Sequence, residues 1–209
     1  MGGNPPIVVK LGGSFAYSEH LQDWIDALAA CAGRVVIVPG GGPFADVVRL
    51  AQIRMRFDDK AAHHMAILAM EQYGRALVSF NSALSLADSA DAIHRDRMEN
   101  RVPVWMPAPM VLTATEIAQS WNVTSDSLAA WLAGKIGADR LLLVKHAKLP
   151  PDCARLQDLI AAGIVDDEFA RFLRLSARPA YILGPSDHNA AVAASPPASR
   201  SSSAVRGRC

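Results

Sequence analysis

Two strand–turn–helix units follow one another at the start of this chain. In the first, the apolar run Ile7-Val8-Val9 leads straight into Lys10-Leu11-Gly12-Gly13-Ser14. In the second, Val35-Val36-Ile37-Val38 leads into Pro39-Gly40-Gly41-Gly42-Pro43. Runs this short and apolar, each ended by glycines and followed by an amphipathic stretch, predict buried strands in a parallel sheet covered by helices. Glycine turns ahead of a helix N-terminus also let backbone N–H groups approach an anion closely. Two such turns at neighbouring strand ends predict one site that holds phosphate groups from two directions, as phosphoryl transfer requires.

The pattern continues along the chain. Leu21, Trp24, Ile25 and Leu28 recur at helical spacing, with Gly33 as a stop, and Phe44, Val47, Val48, Ala51 and Met55 share one helical face. Asp58 or Asp59 can cap a third helix through Ala62, Met65 and Tyr73, closed by Gly74. Residues 75–100 are mixed, with helix ends that the pattern does not place. Strands are expected at Val102–Met106, Arg140–Val144 and Ala180–Leu183, and helices from Ser125 to a stop at Gly137, around Leu156–Ala161 and over Asp166–Leu175. The alternation predicts an α/β fold with a mostly parallel central sheet. One domain is expected over residues 1–194. Residues 195–209, rich in Ser, Pro and Arg, are expected to form a disordered tail, because they cannot bury enough apolar surface to order themselves.

Composition narrows the function. The chain has 209 residues, 51% hydrophobic and 20% charged, with a net charge of +1, so neither nucleic acid nor an anionic membrane surface is an implied partner. No apolar run approaches the roughly 20 residues that span a bilayer, and the cytoplasm is the expected compartment. Cys31, Cys153 and Cys209 have no metal-ligand spacing and read as reduced thiols.

The candidate chemistry sits at the strand ends. Lys10 faces the first glycine turn and can neutralise charge on a transferring phosphoryl group. The lysine precedes its glycines, so this is not a Walker A loop. Gly40, Gly41 and Gly42 in a row suggest a close ligand approach, with a plain tight turn as the alternative. Asp126, after Thr124 and Ser125, is either a helix N-cap or a site carboxylate. Lys145 emerges at the carboxyl edge of the sheet, where open α/β sheets bind ligands. His63 and His64 have no partner at metal-ligand spacing and read as surface or core histidines, and no metal-binding residues are expected. Arg49 and Arg54 could offer cations to a second phosphate. Trp121, in a loop before Asp126, is suited either to stacking on an aromatic acceptor or to sealing the core.

Four segments in this order resemble the amino acid kinase superfamily: Val9-Lys10-Leu11-Gly12-Gly13-Ser14, Pro39-Gly40-Gly41-Gly42-Pro43, Thr124-Ser125-Asp126-Ser127-Leu128-Ala129-Ala130 and Leu142-Leu143-Val144-Lys145. The resemblance covers residues 5–185. It implies a three-layer αβα sandwich, ATP with Mg²⁺, and direct transfer to a small-molecule acceptor. Three stretches, Gly42–Asp46, Ala61–Gly74 and Trp121–Asp126, resemble the branch that phosphorylates aminomethylfuran-methanol phosphate to a diphosphate for methanofuran-type one-carbon carriers. Carried over by position, Lys10 would touch the transferring phosphoryl group, Lys145 the nucleotide phosphates, and Asp126 would hold both lysines. Gly12 and Gly13, with Ser14, would cradle the phosphoryl group. Gly40, Gly41, Gly42, Arg49 and Trp121 would face the acceptor. A homo-oligomer is expected. The alternatives are a carboxylate kinase of the same fold, or a non-catalytic nucleotide-binding or storage protein. Two segments depart from the family pattern: His146–Asp152, where a nucleotide-binding loop usually stands, and the C-terminal end, where no closing strand is legible.

Overall fold

A computed structural model describes residues 4–146 and 155–189 and the backbone of the strand Ser203–Val205. Both opening strands form where the apolar runs put them. β1 (Ile7–Leu11) pairs parallel with β2 (Val35–Pro39) on one side and with β5 (Arg140–Val144) on the other. Outward from β2 lie β4 (Val102–Trp105) and β3 (Leu84–Ala87), and outward from β5 lies β6 (Ala180–Leu183), all parallel. The chain thus lays β2, β3 and β4 on one side of β1, with β4 between β2 and the edge strand β3, and then crosses to its other side. Such a reversal opens a crevice at the carboxyl ends of the strands.

Alternation along the strands divides the core in two. Val9, Leu11, Val35, Ile37, Leu142 and Val144 pack with Trp24, Ile25 and Leu28 of α1 (Leu21–Ala29) and with Tyr73 and Leu77 of α3 (Asp59–Val78). Val8, Val36, Val38, Leu141 and Leu143 face the opposite layer, formed by α4 (Ala90–Met98), α6 (Ser125–Lys135), α7 (Leu156–Ala161) and α8 (Phe169–Ser176). The result is the expected three-layer sandwich. α2 (Gly42–Met55) and the short α5 (Ala108–Val111) complete the helices of the described residues. Among those residues no helix is long and apolar enough to cross a membrane.

Several local expectations change. Gly74 does not close α3, which runs on to Val78. A Cβ on Gly74 would meet Met106 Sδ at 3.3 Å, Val104 Cγ1 at 3.3 Å and Pro39 Cγ at 3.4 Å, so the glycine lets the helix lie close on the sheet. On α2 only Val48 is buried, while Phe44, Val47 and Met55 are exposed. Asp166 precedes α8 rather than starting it. Residues 75–100 contain β3 and α4, and α4 is capped by Ser89, whose hydroxyl accepts from Ala92 N at 3.2 Å. Within the segment expected as a tail, Ser203–Val205 forms β7, antiparallel to β6. The closing strand is only three residues long, too short to show an apolar alternation. The rest of the chain from residue 190, and residues 147–154 with the segment after His146 and Cys153, lie outside the described residues, as does Cys209.

The two glycine turns touch each other. A Cβ on Gly13 would fall 2.2 Å from Gly42 N, and one on Gly40 would fall 2.4 Å from Gly13 N. These glycines are needed first because backbone packs on backbone at the head of the sheet. Gly40→Ala should therefore force the turns apart. Overpacking of this kind costs about 1–3 kcal/mol, and a thermal melt should show a midpoint several degrees lower with the secondary structure retained.

Candidate active site

Strand parity brings the two lysines together. Lys10 shares a face with Val8, and Lys145 follows Leu141 and Leu143 at the same two-residue period, so both point toward the layer of α6. Lys145 N still donates to Leu183 O at 2.9 Å, which extends the sheet geometry to that residue. The N-terminus of α6 ends between them. Lys10 Nζ lies 2.9 Å from Asp126 Oδ1, and Lys145 Nζ donates to Asp126 Oδ2 at 2.6 Å. Asp126 is 4% exposed and Lys10 5%. Burial alone would raise the Asp126 pKa, but the two ammonium groups overcome it and hold the carboxyl below its usual range. Burial, with the charge of Lys10, lowers Lys145 to about 8 against the opposing pull of Asp126. Of the two readings for Asp126, the N-cap fails: Thr124 occupies that position, and Asp126 spends both oxygens on lysines.

Beside this trio opens a cavity of about 350 Å³. Gly13, Ser14, Gly41, Gly42, Arg49 and Trp121 line it, as do Thr124 and Ser125 immediately before Asp126. Lys10, Asp126, Lys145, Gly12 and Gly40 are not among its lining residues. Among the described residues, the N–H groups of Gly13, Ser14, Gly41 and Gly42 have no backbone acceptor. Gly42 has φ +56°, the left-handed conformation that suits glycine, and it turns the chain into α2 there.

Trp121 is a wall residue and not a core plug. Its indole N–H donates to Gln52 Oε1 at 2.7 Å, and the Arg49 guanidinium lies 4.1 Å from the ring centroid. One face of the indole is therefore already taken by a cation, the exposed Arg49 stacked on it. His63, read from sequence as a surface or core histidine, is buried and also lines the cavity, with Nδ1 3.4 Å from Ser120 O. Burial lowers its pKa, against the Ser120 carbonyl, which raises it. Among the described residues no group of three His, Cys, Asp or Glu side chains could hold a metal ion.

Residues 5–148 match the sequence pattern of the Amino acid kinase family. The chain belongs to that family. A curated relative, the [5-(aminomethyl)furan-3-yl]methyl phosphate kinase of Methanocaldococcus jannaschii, is 26% identical over 160 residues, which cover 75% of this chain and 70% of the relative. Among solved structures, the uridylate kinase of Archaeoglobus fulgidus superposes with a TM-score of 0.67 at 20% identity, over 91% of this chain and 97% of that one. The UMP kinase of Ureaplasma parvum gives 0.65 at 14% identity, over 86% and 89%. Both structural likenesses carry the fold, and it is the family match that places the chain among the amino acid kinases.

Two residues of this kinase's site have no sequence signal of their own. Gln52, one turn along α2 from Arg49, orients Trp121. Asp166 reaches α6 from forty residues downstream. The one hint is negative: Thr124 at the N-cap is followed at N3 by Ser127 where a capping box would carry Glu or Gln, so the cap has to come from elsewhere.

Asp126→Asn leaves Lys10 and Lys145 buried together without their counter-charge. Removing one partner of a buried ion pair costs about 3–5 kcal/mol, and chemical denaturation at pH 7 should show a loss of that order. Without Asp126, which raises it, the Lys145 pKa should fall below about 8, so the loss should shrink as pH rises toward 8 and level off above it.

Proposed function

We propose that this chain transfers the γ-phosphoryl group of ATP to a small phosphate monoester held in the cavity, forming a diphosphate and ADP. The observation that carries this reading is the Lys10–Asp126–Lys145 trio beside two glycine turns whose N–H groups have no backbone acceptor among the described residues. In the transfer, the bond from the γ-phosphorus to the β-bridging oxygen breaks, and an acceptor oxygen takes its place. Charge spreads over the transferring group, and two fixed ammonium groups stabilise it. Asp126 faces ammonium groups with both oxygens and cannot take a proton from an alcohol. A phosphate acceptor is already anionic and needs no such base. Among the described residues no group of side chains could cage Mg²⁺, so the ion would be held by nucleotide phosphate oxygens and water.

The M. jannaschii relative supports an aminomethylfuran methyl phosphate as acceptor. Asp46 fits that choice: it is exposed in the cavity lining, and among the described residues it forms no ion pair, so its carboxylate is available to an ammonium group. Trp121 offers an edge or its free face to a flat ring. The test is an ATP-consumption screen against aminomethylfuran-methanol phosphate, UMP, acetylglutamate and aspartate. Turnover with the first alone is expected. Turnover with a carboxylate instead, or nucleotide binding without turnover of any acceptor, would sink the reading. Asp46→Asn should raise KM for the amine-bearing acceptor about tenfold, consistent with roughly 1.5 kcal/mol for a charged hydrogen bond, with the KM for ATP unchanged.

Lys145 sets the expected pH dependence. Its charged form is the one that binds phosphate, and that form is lost as pH rises through about 8. Activity should hold below that pH, and kcat/KM for ATP should fall roughly tenfold per pH unit above it. Lys145→Arg, whose charge persists, should remove that alkaline limb, as a pH–rate profile will show.

A further inference from the structure

The first four N–H groups of a helix need partners from outside it. In α6 water cannot supply them freely, because Ser125 to Ala133 are all buried. Thr124 at the N-cap makes no side-chain cap bond of its own. Asp166, in the loop ahead of α8, takes the role. Its Oδ2 accepts from Thr124 N at 3.0 Å, from Thr124 Oγ1 at 2.7 Å and from Ser127 N at 3.1 Å, and its Oδ1 accepts from the Ser127 hydroxyl. The residues it grips stand two before and one after Asp126. Burial and the charge of Asp126 both raise the Asp166 pKa, against the Ser127 and Thr124 hydrogen bonds, which lower it. A second carboxylate, half-buried beside Asp126, is a costly way to cap a helix if capping is all it does.

We propose that Asp166 is a positioning residue for phosphoryl transfer: by locking the first turn of α6 through Thr124 and Ser127, it keeps Asp126 aligned between Lys10 and Lys145. Asp166 touches neither lysine in the described contacts and acts only through that turn. The proposal rests on the phosphotransfer reading above. Small misplacements of positioned groups cost rate far more than binding.

A double-mutant cycle tests it. Asp166→Asn alone should lower kcat about 10–100-fold with KM for both substrates within about threefold. In an Asp126→Asn background the same change should cost no more than about twofold, because the group it positions is gone. An equal loss in both backgrounds would make Asp166 an independent structural cap and overturn the proposal. Should Asp166→Asn fail to fold, Thr124→Val with Ser127→Ala removes the two hydroxyl bonds, leaves the two backbone bonds and keeps the Asp166 charge, and kcat should fall in the same direction by a smaller factor.

A second readout needs no acceptor. The pH dependence of Lys145 acetylation by acetic anhydride, read by peptide mass spectrometry, reports its pKa in the free protein. If Thr124→Val with Ser127→Ala frees Asp126 to turn away, Lys145 loses the partner that opposes burial, and its pKa should fall below about 8. An unchanged Lys145 titration in that variant overturns the proposal. A wild-type protein that turns over no acceptor, yet shows the Lys145 shift on substitution, would remove the phosphotransfer reading and leave the alignment of Asp126 by Asp166 standing.

Discussion

Two ammonium groups and one carboxylate share the space between the sheet and the first turn of α6, and much of the molecule serves to keep them there. None of the three would be tolerable alone at that depth, since an unpaired buried charge is far costlier than a buried polar group with a partner. Lys10 depends on β1 for its direction, Lys145 on the end of β5, and Asp126 on α6. The parallel pairing of β1 with β5, with Lys10 opposite Leu143, fixes how far apart the two lysines can be. The charges and the topology therefore constrain one another.

The helix that carries Asp126 is unusual in being apolar on nearly every side, with Leu128, Ala129, Ala130, Leu132 and Ala133 all buried. It lies between the sheet and α8, and its small residues allow a close approach: a Cβ on Gly134 would meet Ser176 Cα at 3.1 Å. A helix held on both sides in this way cannot drift, which suits a fold that must present one carboxylate at a fixed height.

Much of this is legible in the sequence because it is local. Apolar runs of four or five residues ending in glycine declare buried strands, and a side-chain period of two puts Lys10 on the same strand face as Val8. What escapes is non-local or ambiguous. β3 is Leu-Ser-Leu-Ala between two helices and carries no stronger strand signal than its surroundings. The exposed apolar residues of α2 follow a helical period as well as buried ones would, so the pattern does not say which side faces the core. Gly74 reads as a stop because glycine weakens helices, yet here closeness to the sheet outweighs that cost. Asp166 is invisible for a simpler reason: its meaning lies in an oxygen's distance from backbone forty positions away.

The contact between the two glycine turns has a consequence for how such a protein can diversify. The turn after β1 and the turn after β2 are in van der Waals touch, backbone to backbone, with no side chain between them to act as a spacer. A change that moves one moves the other. The separation of the two glycine turns is thus a property of the scaffold, as fixed as the gap between the jaws of a gauge. New partners would have to be accommodated farther out, on the α2 and 121–125 walls of the cavity, where side chains can be exchanged without resetting that gap.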